Sequence, residues 1–150
     1  MSKSHENSID IKATPEEVFR AVTDAEQIVK WFAPYARVDP GVGGKYVISW
    51  DPKLEGGGVV SAWDPPRHFG ECSERSVAYN GKGQPVDTGV AQRIAVDYYI
   101  EAIGNGMTRL RLVQSGFGPE AAWDDEYEAT KKGWADFLKK LKEILETAKP

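Results

Sequence analysis

The run Gly43-Gly44-Lys45-Tyr46-Val47-Ile48-Ser49-Trp50 reads as a glycine-started strand with Tyr46, Ile48 and Trp50 on one face. Near the end of the chain Trp123, Tyr127, Thr130, Trp134, Phe137, Leu141 and Ile144 recur at spacings of four and three, one stripe of a long helix. A sheet face and a helix stripe that both carry large rings are made to pack on each other. Rings of that size hold two layers apart, and the gaps between them make a pocket. The pairing constrains the fold strongly and does not name a ligand.

At 150 residues the chain is expected to be one domain, 1–150, with residues 1–7 a flexible tail. Apolar content of 41%, with five Trp, six Tyr and five Phe, is that of a folded globule. The net charge is -4 and no dense basic run stands outside the last helix, which argues against nucleic acid and anionic membrane as partners. The single Cys72 has no internal bridge partner, as suits a reducing compartment. Met1 to Asn7 lacks the apolar stretch of a signal peptide, and no apolar run approaches membrane-spanning length. The expected location is the cytoplasm.

Ser8 to Ala13 alternates with Ile9 and Ile11 on one face, a short first strand. Thr14-Pro15-Glu16-Glu17 starts a helix, with Thr14 as N-cap, Pro15 at the first helical position and Glu17 closing a capping box. Thr23 and Glu26 repeat that spacing, so a second short helix carries Ile28, Trp31 and Phe32 until Pro34 stops it. Two such helices are expected to plug one end of a sheet. Tyr46 to Trp50 and Gly58 to Trp63 flank a Pro- and Gly-rich turn region over 51–57, and Phe69 to Arg75 is a weaker strand. From Ser76 to Gly89 the turn residues Asn80-Gly81, Gly83, Pro85 and Gly89 with few apolar neighbours predict a mobile loop.

Side-chain parity sets the register of the last hairpin. A three-residue turn over Gly104-Asn105-Gly106, with Gly106 left-handed, pairs Ile100 with Leu110, Tyr98 with Leu112 and Val96 with Gln114. It also sets Glu101 opposite Arg109 as an ion pair, and Tyr99 opposite Arg111 at cation–π reach. The final helix is expected over Pro119 to Thr147, its charges forming a solvated outer face. Gly133 in mid-helix costs about 1 kcal/mol against Ala. Either its backbone packs closely on a neighbour, or the missing side chain opens room beside Trp134.

The order of strand, two short helices, antiparallel sheet and long C-terminal helix resembles the helix-grip fold of the START-like superfamily, also called SRPBCC. The match is closer to the branch named after the activator of heat-shock protein 90 ATPase. It rests on Ala13-Thr14-Pro15-Glu16-Glu17-Val18-Phe19, Ile28 with Trp31-Phe32, Gly43-Gly44-Lys45-Tyr46, and Gly58-Val59-Val60 before Pro65-Pro66. It continues in Ser115-Gly116-Phe117 and in Gly133-Trp134 with Leu138, Leu141 and Leu145. The resemblance implies an α+β fold, a curved antiparallel sheet with the last helix across its concave face. It is specific for fold and not for activity, because the superfamily hosts binding proteins, enzymes and chaperone partners. The chain departs from the pattern after Pro65-Pro66, where Arg67-His68-Phe69-Gly70-Glu71-Cys72-Ser73 stands in place of a more apolar strand.

No catalytic constellation emerges. His5 falls in the expected tail; His68 and Cys72 stand four apart on a strand, about 13 Å, beyond nucleophile–base reach. No spacing suggests zinc, Gly56-Gly57-Gly58 lacks the Lys and helix of a phosphate loop, and no cofactor is implied. The candidate residues are those of a pocket: Tyr46, Ile48, Trp50, Trp63, Tyr98, Gln114, Trp123 and Trp134, with Trp50 and Trp123 expected at its mouth. Gln92 and Gln114 share the inward parity of their strands and need partners there, either backbone or a hollow. The expected partner is an apolar or amphipathic small molecule. The alternatives are a protein partner of the chaperone type and a cyclase- or hydrolase-like enzyme using the same space.

Overall fold

The computed structural model describes residues 3–50 and 57–147; the turn expected over 51–57 lies outside them except for Gly57. Strands β1 (Lys3–Ile11), β2 (Tyr35–Val38), β3 (Lys45–Ser49), β4 (Gly58–Asp64), β5 (His68–Tyr79), β6 (Pro85–Gly104) and β7 (Met107–Phe117) form one antiparallel sheet in the order β1-β7-β6-β5-β4-β3-β2. Helices α1 (Pro15–Thr23) and α2 (Ala25–Trp31) carry the chain from one sheet edge to the other. A single 3-10 turn, Ala121–Trp123, leads into the long helix α3 (Asp124–Thr147). This is the α+β, helix-grip architecture the sequence implied.

Local chemistry explains the boundaries. At the start of α1 the Glu17 amide donates to Thr14 Oγ1 and the Thr14 amide donates to Glu17 Oε1, both at 3.1 Å. The second cap differs from expectation. Asp24, not Thr23, caps α2 by accepting from the Glu26 amide, while the Thr23 hydroxyl donates to the Phe19 carbonyl within α1. The core lies on one face of the sheet, where Val18, Phe19 and Val22 of α1, Trp31 of α2, and Trp134, Leu138, Leu141 and Leu145 of α3 meet Phe69, Tyr98, Ile100, Leu110 and Leu112. The inward stripe of α3 is thus centred on Trp134, Leu138, Leu141 and Leu145, and Phe137 and Ile144 flank it half-buried.

The β6–β7 register is the expected one, with Ile100, Tyr98 and Val96 opposite Leu110, Leu112 and Gln114. The turn that produces it is different. Gly104 pairs with Met107 around a two-residue turn, Asn105 and Gly106 both have positive φ (58° and 74°), and an irregularity between Ala102 and Gly104 restores the register. On the outer face the Arg111 guanidinium lies 4.4 Å from the Tyr99 ring, as expected. Arg109, however, bonds Asp10 of β1 at 2.8 Å rather than Glu101, because β1 places a carboxylate on its other side.

Three further expectations are corrected. The tail over 1–7 is, from Lys3 onward, part of β1, which pairs along β7 as far as Phe117. His5 is buried against Phe117 and Tyr127, its Nε2 2.9 Å from Thr130 Oγ1. The segment 76–89 is a hairpin rather than a loop: Val77, Ala78 and Tyr79 pair with Asp87, Val86 and Pro85. Acids at the start of α3 hold this arm, Glu126 through a two-pronged bond to Arg75 and a 3.0 Å bond from the Tyr79 amide, and Asp125 through the Gly81 amide. Its polar sequence hid a structure tied down by carboxylates and by Ala78, which is fully buried against Trp123, Ile94 and Phe117. Finally, α3 begins at Asp124 rather than Pro119, and its outer charges are not all solvated. Lys142 donates to the Asp10 carbonyl at 2.6 Å and Glu146 accepts from the Lys12 amide at 2.9 Å, fastening α3 along β1. Among the described residues no helix is long and apolar enough to cross a membrane.

Candidate functional site

Between α3, the end of α2 and the sheet the packing opens. One pocket of about 160 Å³ is lined by Phe32, Tyr46, Ile48, Trp50, Glu71, Val96, Tyr98, Gln114 and Trp134. A second of about 320 Å³ shares Phe32, Trp50, Gln114 and Trp134 with it and extends over Ala129, Thr130, Gly133 and Phe137. The shared walls make the two neighbours along one cleft. Of the eight sequence candidates, Tyr46, Ile48, Trp50, Tyr98, Gln114 and Trp134 come together in the smaller pocket.

Trp63 and Trp123 do not. An irregularity between Val60 and Ala62 shifts β4, and Trp63 packs on Phe19 (5.2 Å between ring centroids) and Phe69 under α1. Trp123 sits in the 3-10 turn, out of phase with α3, and is fully buried with Ala78, Ile94 and Phe117 in a separate cluster under the hairpin arm. Trp50 does stand at the rim, 59% exposed, edge-on to Phe32. Gln92 is half-buried and lines neither pocket.

Each wall has a local cause. Phe32 ends α2, where it stacks on the fully buried Trp31 (5.2 Å, 18° between planes) and turns toward Trp134 (4.9 Å) and Phe137 (4.8 Å). Trp31 is fixed from below by its indole N–H, which donates to the Ala21 carbonyl at 2.9 Å. Gln114 of β7 is buried, and its Oε1 accepts from the Trp134 indole N–H at 2.8 Å. Among the described residues nothing accepts from its NH2 group. Gly133 faces the larger pocket, and a Cβ built there meets nothing within 4 Å, so the second reading of this glycine holds: its missing side chain leaves room.

Glu71, Phe32 and Val96 are the side chains of the smaller pocket that the sequence candidates missed. Glu71 shares the inward parity of β5 with the buried Phe69, and that parity was the signal available. Burial first, and the like charge of Asp97 second, push its carboxyl up to about 8. The hydroxyls of Tyr46 and Tyr98 are held well above the ordinary tyrosine range, again by burial first and then by the neighbouring acid and phenol groups. At neutral pH the floor of the pocket therefore offers a protonated carboxyl, two phenols and one amide within apolar walls. Among the described residues no group of three His, Cys, Asp or Glu side chains could hold a metal ion. On the opposite face His68 Nε2 lies 2.7 Å from Asp97 Oδ1, with the His68 ring stacked on Tyr99.

The sequence profile of the family described as Activator of Hsp90 ATPase homolog 1-like protein matches residues 12–146. Among solved structures, protein MLL2253 from Mesorhizobium loti is similar at 24% identity and a TM-score of 0.77, over 99% of this chain and all (100%) of that one. The Aha1 dimer from Colwellia psychrerythraea is similar at 22% identity and a TM-score of 0.70, over 99% of each chain. PFC0360w, an HSP90 activator from Plasmodium falciparum, is similar at 22% identity and a TM-score of 0.66, over 95% of each chain. No curated protein matches. Profile and fold agree, and the chain belongs to the Activator of Hsp90 ATPase homolog 1-like family, on the helix-grip fold of the START-like superfamily.

Proposed function

We propose that the cleft between sheet and α3 binds an apolar or amphipathic small molecule. One observation carries this reading: rings from the ends of α2 and β3, from β6 and from α3 converge on a space that, among the described residues, four polar side chains, Tyr46, Glu71, Tyr98 and Gln114, enter from the sheet. Mostly apolar walls with a few placed polar groups are the usual make-up of a ligand site. The test is a thermal-shift screen of small amphipathic compounds, followed by tryptophan fluorescence. A true ligand raises the melting temperature with occupancy and quenches the emission of Trp50 and Trp134. A screen of such compounds with no stabilising member counts against the reading.

A second reading is favoured by the family itself, which is named for a chaperone activator, and by the likeness to an HSP90 activator. In it the chain binds a protein through an outer face and the cleft is incidental. Pull-down with a purified chaperone of that class separates the two, because a protein interface is insensitive to substitutions such as Tyr98→Phe inside the cleft. Either role suits a reducing cytoplasm, where the buried thiol of Cys72 stays free.

A further inference from the structure

Glu71 is unusual in its surroundings. Among the described residues it is the one acid lining the smaller pocket, and no described Lys, Arg or His lines that pocket with it. Among the described residues no side chain forms a salt bridge to it. The charge that acts on it is that of another acid, Asp97, on the opposite face of β6. Glu71 is half-buried, its side chain turned into the pocket without a counter-charge among the described residues. Such a carboxyl is costly as a carboxylate, and carboxyls removed from water are normally paired. Around it stand the rings of Phe32, Tyr46, Trp50, Tyr98 and Trp134, whose faces carry negative potential. Acid and rings are complementary to the same kind of guest.

We propose that the pocket takes an organic cation, its ammonium head seated against Glu71 among the rings and its apolar remainder lying along the larger pocket under Gly133. This rests on the small-molecule reading above and narrows its ligand class. The volumes agree with such a division. The pocket of about 160 Å³ is below the size of a whole drug-like site and suits a compact head group, while the adjoining 320 Å³ under α3 is walled mainly by Phe32, Ala129, Trp134 and Phe137. A cation supplies the charge that Glu71 lacks and meets several ring faces in a desolvated setting, where cation–π attraction is strongest. An anion meets Glu71 and the ring faces unfavourably. A neutral acceptor uses the carboxyl proton but gains nothing from the ring faces.

The test titrates the full chain at pH 8.5 and low salt with n-octyltrimethylammonium, 1-octanol and octanoate, following tryptophan fluorescence and melting temperature. The head group is the variable and the tail is constant. The cation is expected to bind about tenfold more tightly than octanol, and octanoate more weakly than either. Glu71→Gln, which keeps the shape and removes the charge, is expected to lose the preference for the cation and to keep octanol binding. Octanol or octanoate binding as tightly as the cation, or E71Q retaining the preference, overturns the cation reading and leaves the pocket standing. Binding of none of the three removes the small-molecule reading, and the cation with it.

Discussion

The Trp134 indole N–H donates to Gln114 Oε1 at 2.8 Å, a single buried bond that joins α3 to β7 across the wall common to both pockets. It fixes the large ring in that wall, and among the described residues nothing accepts from the Gln114 NH2. Gln114→Leu removes the acceptor and strands a buried indole N–H. The expected cost is about 1–3 kcal/mol in urea unfolding. A stability change within experimental error would mean that the indole has another partner.

Gly133 offers a test of opposite sign. Nothing stands within 4 Å of the Cβ that alanine would add, and alanine relieves the helix of its most permissive residue. Gly133→Ala is expected to raise stability by up to about 1 kcal/mol. The same methyl enters the larger pocket, so ligands with bulk under α3 should bind more weakly to the more stable protein. A loss of stability would show a close contact at this position.

The pH dependence follows from Glu71. Its carboxyl ionises near 4.5 in the unfolded chain and at about 8 in the folded one. Between those values the folded state holds a proton that the unfolded state has released. The stability contribution is therefore full below pH 4.5, declines as pH rises, and levels off above about 8. Among the described residues the groups facing Glu71 are Tyr46 on β3 and Tyr98 on β6, both neutral over this range, with Asp97 behind the sheet; the end of α2 and α3 present Phe32 and Trp134 to the pocket. Glu71→Gln should match the parent near pH 4.5 and exceed it by a few kcal/mol at pH 8.5. Equal pH profiles for the two proteins would place the ionisation elsewhere.

The hairpin arm is predicted to be ordered. Arg75 bonds Glu126 in two places, with Arg75 Nη1 2.8 Å from Glu126 Oε1, and Glu126 is buried. Amides of residues 77–79 should exchange slowly, at rates comparable to those of the rest of β5. Glu126→Gln should cost about 1.5–3 kcal/mol, the value of a hydrogen bond to a charged group, and speed exchange in the arm first. Fast exchange there in the parent protein would restore the mobile-loop reading.

Much of the fold was legible because its signals are local. Thr14 and Glu17 form the capping box that their spacing announces, and the parity of Tyr98, Ile100, Leu110 and Leu112 fixes the β6–β7 register whatever turn delivers it. The hairpin over 76–89 was not legible, since its order comes from Glu126 and Asp125, distant in sequence and themselves readable as ordinary first-turn acids. The same holds for Lys3 to Asn7, where His5 is buried by Phe117 and Tyr127 from the far end of the chain.

The site was legible in part for related reasons. Tyr46, Tyr98, Gln114 and Trp134 follow from strand parity and helix phase alone. Trp63 was misplaced by the β4 irregularity, and Trp123 by the 3-10 turn that precedes α3, each a break of phase that the residue pattern does not mark. Glu71 lay in the stretch after Pro65-Pro66 that reads as a weak strand, and an acid at an inward position weakens that pattern further.

The central claim is that the cleft is a small-molecule site, and NMR titration tests it most directly. With n-octyltrimethylammonium or 1-octanol added to the labelled chain, the account predicts shifts confined to Tyr46, Glu71, Tyr98, Gln114 and their strand neighbours, with the Trp134 indole N–H signal moving most. Shifts absent from these positions, or gathered on the outer face around Tyr99 and Arg111, would contradict it.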